Sequence, residues 1–251
     1  MSGWLIAPAT NLDPKTVPRS GEGLPEDAAQ VSLAGRFASR IGLAPEGVPI
    51  ALPVALVGLG LAVIGFEAIG IAVIAIGGAI AAFFRDPQRG VIARADAVLS
   101  GADGRVCNIA PASFPETSED ALCTRISVFM SPLDVHVNRA PVSGEVTALK
   151  HVKGEFRAAF RDAASEHNEH TSITIKDDHG RDHALVQVAG YVARRIVCYL
   201  RPHQRLERGQ RIGLIMFGSR VDHFLPRDYR VAVEVGDRVR AGETIIGEPL
   251  K

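Results

Sequence analysis

The sequence predicts a mainly β (α+β) protein: an antiparallel, barrel-sandwich-like β domain behind an N-terminal hydrophobic helical hairpin. Three features carry that expectation. Val48 to Phe66 and Ala68 to Phe84 are uncharged stretches of 19 and 17 residues separated only by Glu67. From Val91 onward, short runs such as Arg125-Ile126-Ser127-Val128, Ser172-Ile173-Thr174-Ile175 and Leu185-Val186-Gln187-Val188 alternate with Gly, Pro and Asp turns, as in all-β domains. A small-turn-then-Val phrase recurs: Ala102-Asp103-Gly104-Arg105-Val106, then Ser143-Gly144-Glu145-Val146 followed by Val152-Lys153-Gly154-Glu155.

Taken in order, residues 1–40 are rich in Pro, Gly, Ser and charge and read as a mobile arm, without the basic start and apolar core of a secretory signal. Residues 41–86 hold the two apolar stretches. Spanning a bilayer takes about 20 apolar residues, with a range of about 17 to 25, so each stretch qualifies. Glu in mid-bilayer is costly, which argues for two helices with Glu67 at the tip over one long span. Arg36 and Arg40 precede the hairpin, and Arg85, Arg89 and Arg94 follow it. The positive-inside rule then puts both ends in the cytoplasm. The glycines at 58, 60, 65, 70, 77 and 78 allow close helix approach. The competing readings are a buried soluble hairpin and a re-entrant pair entering one leaflet.

Residues 87–251 form the β domain. Its C-terminal piece, Val233 to Ile245, has the look of the hairpin unit of biotinyl and lipoyl domains, but no Lys stands at the carrier position. Residues 155–171 read as a polar, partly helical insertion. Within it His167 and His170 are spaced for a metal, yet no third ligand is evident, so no metal is expected. Three cysteines are too few for a disulfide framework or a zinc site, and read as small buried apolar residues. Charges balance at 28 basic and 28 acidic in 251 residues, which offers no reason to expect nucleic acid as a partner.

Phe217-Gly218-Ser219-Arg220-Val221-Asp222 follows the apolar run Ile212 to Met216. Alone, Gly218-Ser219 reads as a turn. Its company changes that: Phe84-Arg85-Asp86-Pro87-Gln88-Arg89, Ala102-Asp103-Gly104-Arg105-Val106 and Met130-Ser131-Pro132-Leu133-Asp134-Val135-His136 stand upstream. These blocks, in this order, resemble the phosphatidylserine decarboxylases, in particular their short bacterial and archaeal form. The resemblance covers residues from about 80 to 251.

What the resemblance implies is specific. The chain cuts itself between Gly218 and Ser219, into 1–218 and 219–251, and Ser219 becomes a covalent pyruvoyl cofactor. A pyruvoyl carbonyl condenses with an amino-acid amine and takes up the electrons left at Cα when CO2 departs, as pyridoxal phosphate does elsewhere. Ser219 is the nucleophile, His136 its base and Asp103 the orienting carboxylate. Longer members carry a second His, which there belongs to the triad, at the position of Arg139 here. His136 therefore serves alone, or His203 or His223 assists. The Arg194-Arg195 pair holds the lipid phosphate or the serine carboxylate, or else is surface charge. Phe156, Phe160 and the hairpin could admit acyl chains.

The partners so implied are a phospholipid, a membrane and the two chains of one precursor, with a homodimer compatible. The place is the inner membrane, with the catalytic domain on its cytoplasmic face. The triad lies beyond residue 90, so removing Val48 to Phe84 is expected to leave self-cleavage intact. Two other readings stay open: decarboxylation of another seryl lipid of archaetidylserine type, and a non-catalytic membrane-anchored β-barrel binding module.

Overall fold

The structure, a computed structural model, describes residues 42–91, 94, 96–115, 122–154, 168–190, 195–216 and 218–250. The 1–40 arm, most of the polar insertion (Phe156, Phe160 and His167 included) and Arg194 lie outside the described residues.

The predicted β domain is present, and every strand pairing in it is antiparallel. The main sheet runs β13 (Arg238–Val239), β2 (Gly104–Ser113), β3 (Leu122–Met130), β11 (Ser219–Leu225), β7 (Asp182–Val188), β6 (His170–Asp177), β5 (Gly144–Val152) and β9 (Arg205–Leu206). Two three-stranded sheets accompany it. One orders β1 (Val98–Leu99), β14 (Ile245–Pro249) and β12 (Tyr229–Val231); the other orders β4 (Val137–Arg139), β10 (Arg211–Ile215) and β8 (Ile196–Cys198). Alternating side chains put Val128, Ile126, Leu185, Ile173 and Val221 into one apolar core. A second, smaller cluster packs Val186, Val188, Phe224 and Cys123. All seven residues of β11 are buried, so the central strand is covered on both faces.

The recurring phrase marks an internal repeat. Gly104 and Gly144 open β2 and β5, and a Cβ on either would come within 2.1 Å of a carbonyl oxygen, that of Phe129 or of Lys176. Only glycine permits that approach. A bulge follows each: between Val106 and Asn108, and between Val146 and Ala148. The Val106 N–H donates to Asp237 O and the Val146 N–H to Gln204 O, both at 2.9 Å. Just before the glycines, Asp103 Oδ1 accepts the Ala241 N–H at 2.8 Å and Ser143 Oγ accepts the Arg208 N–H at 3.1 Å. Two like halves thus flank the central pair β11–β7. His203, at φ 63°, occupies the turn position that Gly236, at φ 103°, takes in the other half.

The C-terminal piece departs from the expected self-contained hairpin. β13 pairs with β2, while β14 lies between β1 and β12, so its strands find distant partners. Cys123 is buried, whereas Cys107 and Cys198 are half-buried.

Two helices precede the domain: α1 (Val48–Val63) and α2 (Glu67–Phe83). The turn Ile64–Phe66 leaves Glu67 as the first residue of α2, where a carboxylate suits the positive end of the helix dipole. Gly58 and Gly70 face each other so closely that a Cβ on Gly70 would come within 2.6 Å of Gly58 O; Gly77 meets Ala55. Gly60, Gly65 and Gly78 face open space and play no part in this contact. Most of the large side chains project outward, Val63, Ile64, Ile71 and Val57 each at 60 % exposure or more. Pro45–Val63 is 19 residues long, enough by length and composition to cross a membrane, and α2 adds 17 apolar residues. At a rise of about 1.5 Å per residue each helix reaches roughly 25 Å.

The two legs are joined at their base. Leu43 bridges Arg85, the Ala44 N–H donates to Phe84 O at 2.7 Å, and the Asp86 N–H to Gly42 O at 2.6 Å. Beneath it Asp86 meets Arg139 at 2.6 Å and Arg211 at 3.5 Å, and Glu46 binds Arg211 and the Tyr199 hydroxyl.

Candidate active site

Three strand ends meet at one edge of the main sheet. β3 ends at Met130, which lies opposite Ser219, the first residue of β11. On the other side of β3, Asp103 directly precedes β2, whose Arg105 lies opposite Phe129. With strands about 4.8 Å apart, Asp103 and Ser219 stand on either side of Met130 at a backbone separation of about 10 Å. His136 ends the loop that leaves Met130. Its carbonyl accepts the Ile215 N–H at 3.3 Å, at the end of β10, from which the chain runs through Met216 to Gly218. Sequence positions 103, 136 and 219 are so brought to one edge.

Ser219 is fully buried, and its Oγ has no hydrogen-bond partner among the described residues. Burying a hydroxyl unpaired costs about 1–3 kcal/mol, so such a group needs a reason. Gly218 before it has φ 59°, the left-handed region, with open space where a Cβ would be. The backbone there is held in a form that glycine tolerates, with room about the Gly218–Ser219 peptide.

His136 is 2 % exposed. Its Nδ1 lies 3.0 Å from Asp134 O, a bond that makes Nδ1 the protonated nitrogen and leaves Nε2 with its lone pair. Nε2 is buried without a partner among the described residues. Phe83 covers the ring at a centroid distance of 4.3 Å. Burial pushes the imidazole down to about 4, against the Asp134 carbonyl and carboxylate, so it is neutral at ordinary pH.

Asp103 does not hydrogen-bond to His136. Its Oδ2 pairs with Arg89 at 2.7 Å, and its Oδ1 takes the Ala241 N–H. Arg89 is itself buried and reaches Glu243 at 3.1 Å. Burial raises the Asp103 carboxyl; the Ala241 N–H and Arg89 offset that only in part, and Asp134 nearby adds to the rise. Asp134 is different. Burial acts upward on it too, but Ser131 and Arg238 outweigh it and hold the carboxyl below its usual value.

The reserve histidines have other duties. His223 accepts the Gly101 N–H at Nε2, at 2.7 Å, and its Nδ1 lies 3.3 Å from Ile126 O. It ties β11 to the loop carrying Asp103. His203 is exposed and pairs with Glu145. Arg139, where the longer relatives carry the second His, is committed to Asp86, Pro87 O and Gly209 O. Arg195 is exposed, and its carbonyl accepts the Met216 N–H at 3.2 Å, beside the run into Gly218. Of the two histidines spaced for a metal, for which no metal was expected, His170 has its Nδ1 2.8 Å from Asn168 O.

Sequence reasoning had placed Phe83, Arg85 and Arg89 only as hairpin end and flanking charge. Phe83 and Phe84 instead pack with Val135, Val137 and Leu214 around His136, and Arg89 grips Asp103. The signal was at hand: Phe84 to Arg89 was itself one of the blocks in the family's pattern.

A buried serine whose Oγ has no partner among the described residues follows a left-handed glycine, and a buried, neutral imidazole with an unpartnered Nε2 ends the loop that leaves the neighbouring strand. The chain belongs to the phosphatidylserine decarboxylase family, whose pattern matches residues 76–247, and is a decarboxylase. Among its relatives, the phosphatidylserine decarboxylase proenzyme of Chlorobium chlorochromatii is 49 % identical over 166 residues, 66 % of this chain and 76 % of the relative. The proenzyme of Desulfotalea psychrophila is 46 % identical over 167 residues, covering 66 % and 77 %. That of Burkholderia multivorans is 45 % identical over 166 residues, with the same coverage.

Proposed function

We propose that this chain removes CO2 from phosphatidylserine to give phosphatidylethanolamine, using a pyruvoyl group that it makes from Ser219. The observation that carries the reading is that Ser219 Oγ and His136 Nε2, on segments that meet at one sheet edge, are each buried without a hydrogen-bond partner among the described residues. Neither has a structural use, and together they make a nucleophile and its base.

Maturation follows from these residues. His136 Nε2 takes the Ser219 hydroxyl proton as Oγ attacks the Gly218 carbonyl carbon. The Gly218–Ser219 C–N bond breaks, the nitrogen becomes an amine, and an ester joins Gly218 to Oγ. Loss of the Ser219 Cα proton expels the Gly218 carboxylate and leaves dehydroalanine. Water then replaces the nitrogen, which leaves as ammonia. The residue 219 site has room for the product, since Gly218 leaves open space beside it. Once formed, the pyruvoyl carbonyl supplies the electron sink for decarboxylation. His136 then delivers the proton taken up at the carbon that CO2 vacates.

The Asp134 carbonyl sets the imidazole tautomer, and the Asp134 carboxylate is the charge that favours a proton on it, while Asp103 is held by Arg89 and the Ala241 N–H. Arg195, with Arg194, binds the substrate's phosphate or carboxylate. The hairpin enters the inner membrane from the cytoplasmic side, which accords with the arginines at both its ends. A seryl lipid with ether-linked chains would meet the same groups.

The test is a denaturing gel with an assay of CO2 release from phosphatidylserine vesicles. Wild-type protein is expected to run as chains 1–218 and 219–251 and to release CO2. Ser219→Ala and His136→Ala are expected to stay whole and inactive. Active protein in a single uncut chain would overturn the reading.

A further inference from the structure

Arg85 is the first charged residue after α2, at the level where the helix leaves the apolar layer. A guanidinium at such a boundary usually points to water or pairs with a carboxylate. This one is half-exposed, and its hydrogen bonds go to backbone carbonyls and not to a carboxylate. Its Nη1 donates to Ala82 O at 2.9 Å and its Nη2 to Leu133 O, in the loop leading to His136. No carboxylate lies within ion-pair distance of it among the described residues. Its neighbours Asp86 and Arg89 are by contrast both ion-paired.

The surroundings place Arg85 beside the reacting groups. Two residues earlier, Phe83 lies on the His136 ring. Leu133 precedes His136 by three, and the Phe84 side chain beside Arg85 packs in the cluster that lines this edge. Two carbonyls hold the guanidinium in place and leave its remaining N–H donors, and its whole charge, for an anion.

We propose that Arg85 binds the phosphodiester of the lipid substrate and so sets the depth at which a seryl headgroup meets residue 219. In such a lipid the phosphate sits at the bilayer surface, and the amine and carboxylate hang a few bonds beyond it. A cation fixed at the exit of α2 meets the phosphate at that level, and the headgroup then reaches inward past His136. The carbonyl clamp pre-orders the side chain, so that little rotamer freedom is lost on binding. This inference rests on the decarboxylase reading above and adds a further cation to the proposed Arg194 and Arg195.

The experiment uses full-length Arg85→Met and Arg85→Lys in phosphatidylcholine vesicles with graded phosphatidylserine content. Self-cleavage precedes substrate binding, so both variants are expected to mature at the wild-type rate and to sediment with vesicles as wild type does. Arg85→Met is expected to need about 10-fold more surface phosphatidylserine for half-maximal rate, with kcat within about twofold, as for loss of one charge-assisted phosphate contact. Arg85→Lys is expected to fall between, keeping the charge without the fork. An unchanged half-saturation in Arg85→Met, or failed maturation in both variants, would assign Arg85 to clamping the loop and overturn the inference. Wild-type protein that matures but leaves phosphatidylserine intact would overturn the decarboxylase reading itself.

Discussion

At the scale of single residues, the chemistry depends on groups kept out of water. The His136 imidazole is neutral because burial, opposed by Asp134 and aided by Arg85, holds it near 4 rather than 6.5. A base is competent only when unprotonated. Self-cleavage is therefore expected to hold its rate as pH falls through 6.5 and to fail only as pH nears about 4. Half the rate lost at 6.5 would mean that the base is an ordinary, solvated histidine. The same burial is felt in stability, and His223, also pushed to about 4, adds to it. Between 6.5 and about 4 the unfolded chain binds protons on these two rings that the fold refuses. Their contribution is complete above that window, is lost as pH drops through it, and is flat below.

At the scale of elements, the hairpin reaches into the candidate site. Its last residue covers the His136 ring, and Phe84 is buried in the same apolar cluster as Val137 of β4 and Leu214 of β10. The expectation that Val48 to Phe84 can be removed without harm to self-cleavage came from counting residues along the chain, where the triad begins beyond position 90. Contact in space corrects it. Deleting Val48 to Ala82 keeps Phe83 and the Leu43–Arg85 bridge, and is expected to give protein that still cleaves but leaves the membrane fraction on carbonate washing. Deleting Val48 to Phe84 is expected to slow cleavage by about 100-fold, the order of loss for a misplaced catalytic group. Equal rates, followed on denaturing gels, would show that the aromatic wall has no part in holding the base.

The same contrast marks what could be read in advance. Helix and strand periods, Glu67 at the tip, and the Gly-led phrase were legible because each is local. His136, Ser219 and Asp103 could be singled out in the sequence because the motifs that resemble the family's are short and contiguous. The grip of Arg89 on Asp103, the Asp134 carbonyl on His136 and the pairing of β13 with β2 were not, since each joins residues by register or by burial, which a linear pattern does not carry.

At the scale of the molecule, cleavage would separate the chain at the first residue of the central strand. β11 lies between β3 and β7, both from the larger chain; β13 holds to β2, and β14 to β1. Asp103 to Ala241 and Arg89 to Glu243 cross the same divide. The two products are thus expected to co-elute as one species of 26.7 kDa under native conditions and to part only in denaturant. After denaturant is removed, uncut Ser219→Ala is expected to regain its fold, measured by circular dichroism, more fully than the separated wild-type chains. Dissociation of the smaller chain in native buffer would contradict the sheet order.

The central seat of β11 also bears on quality control. Under the proposed maturation, its buried hydroxyl would meet a base only when β3 and β7 have closed on either side and the loop from Met130 has brought His136 in. A misfolded or unfinished molecule lacks that meeting, so it cannot arm itself. Under the proposed self-cleavage, a break in the backbone would act as a certificate: each molecule that carried it would, at least once, have been correctly assembled.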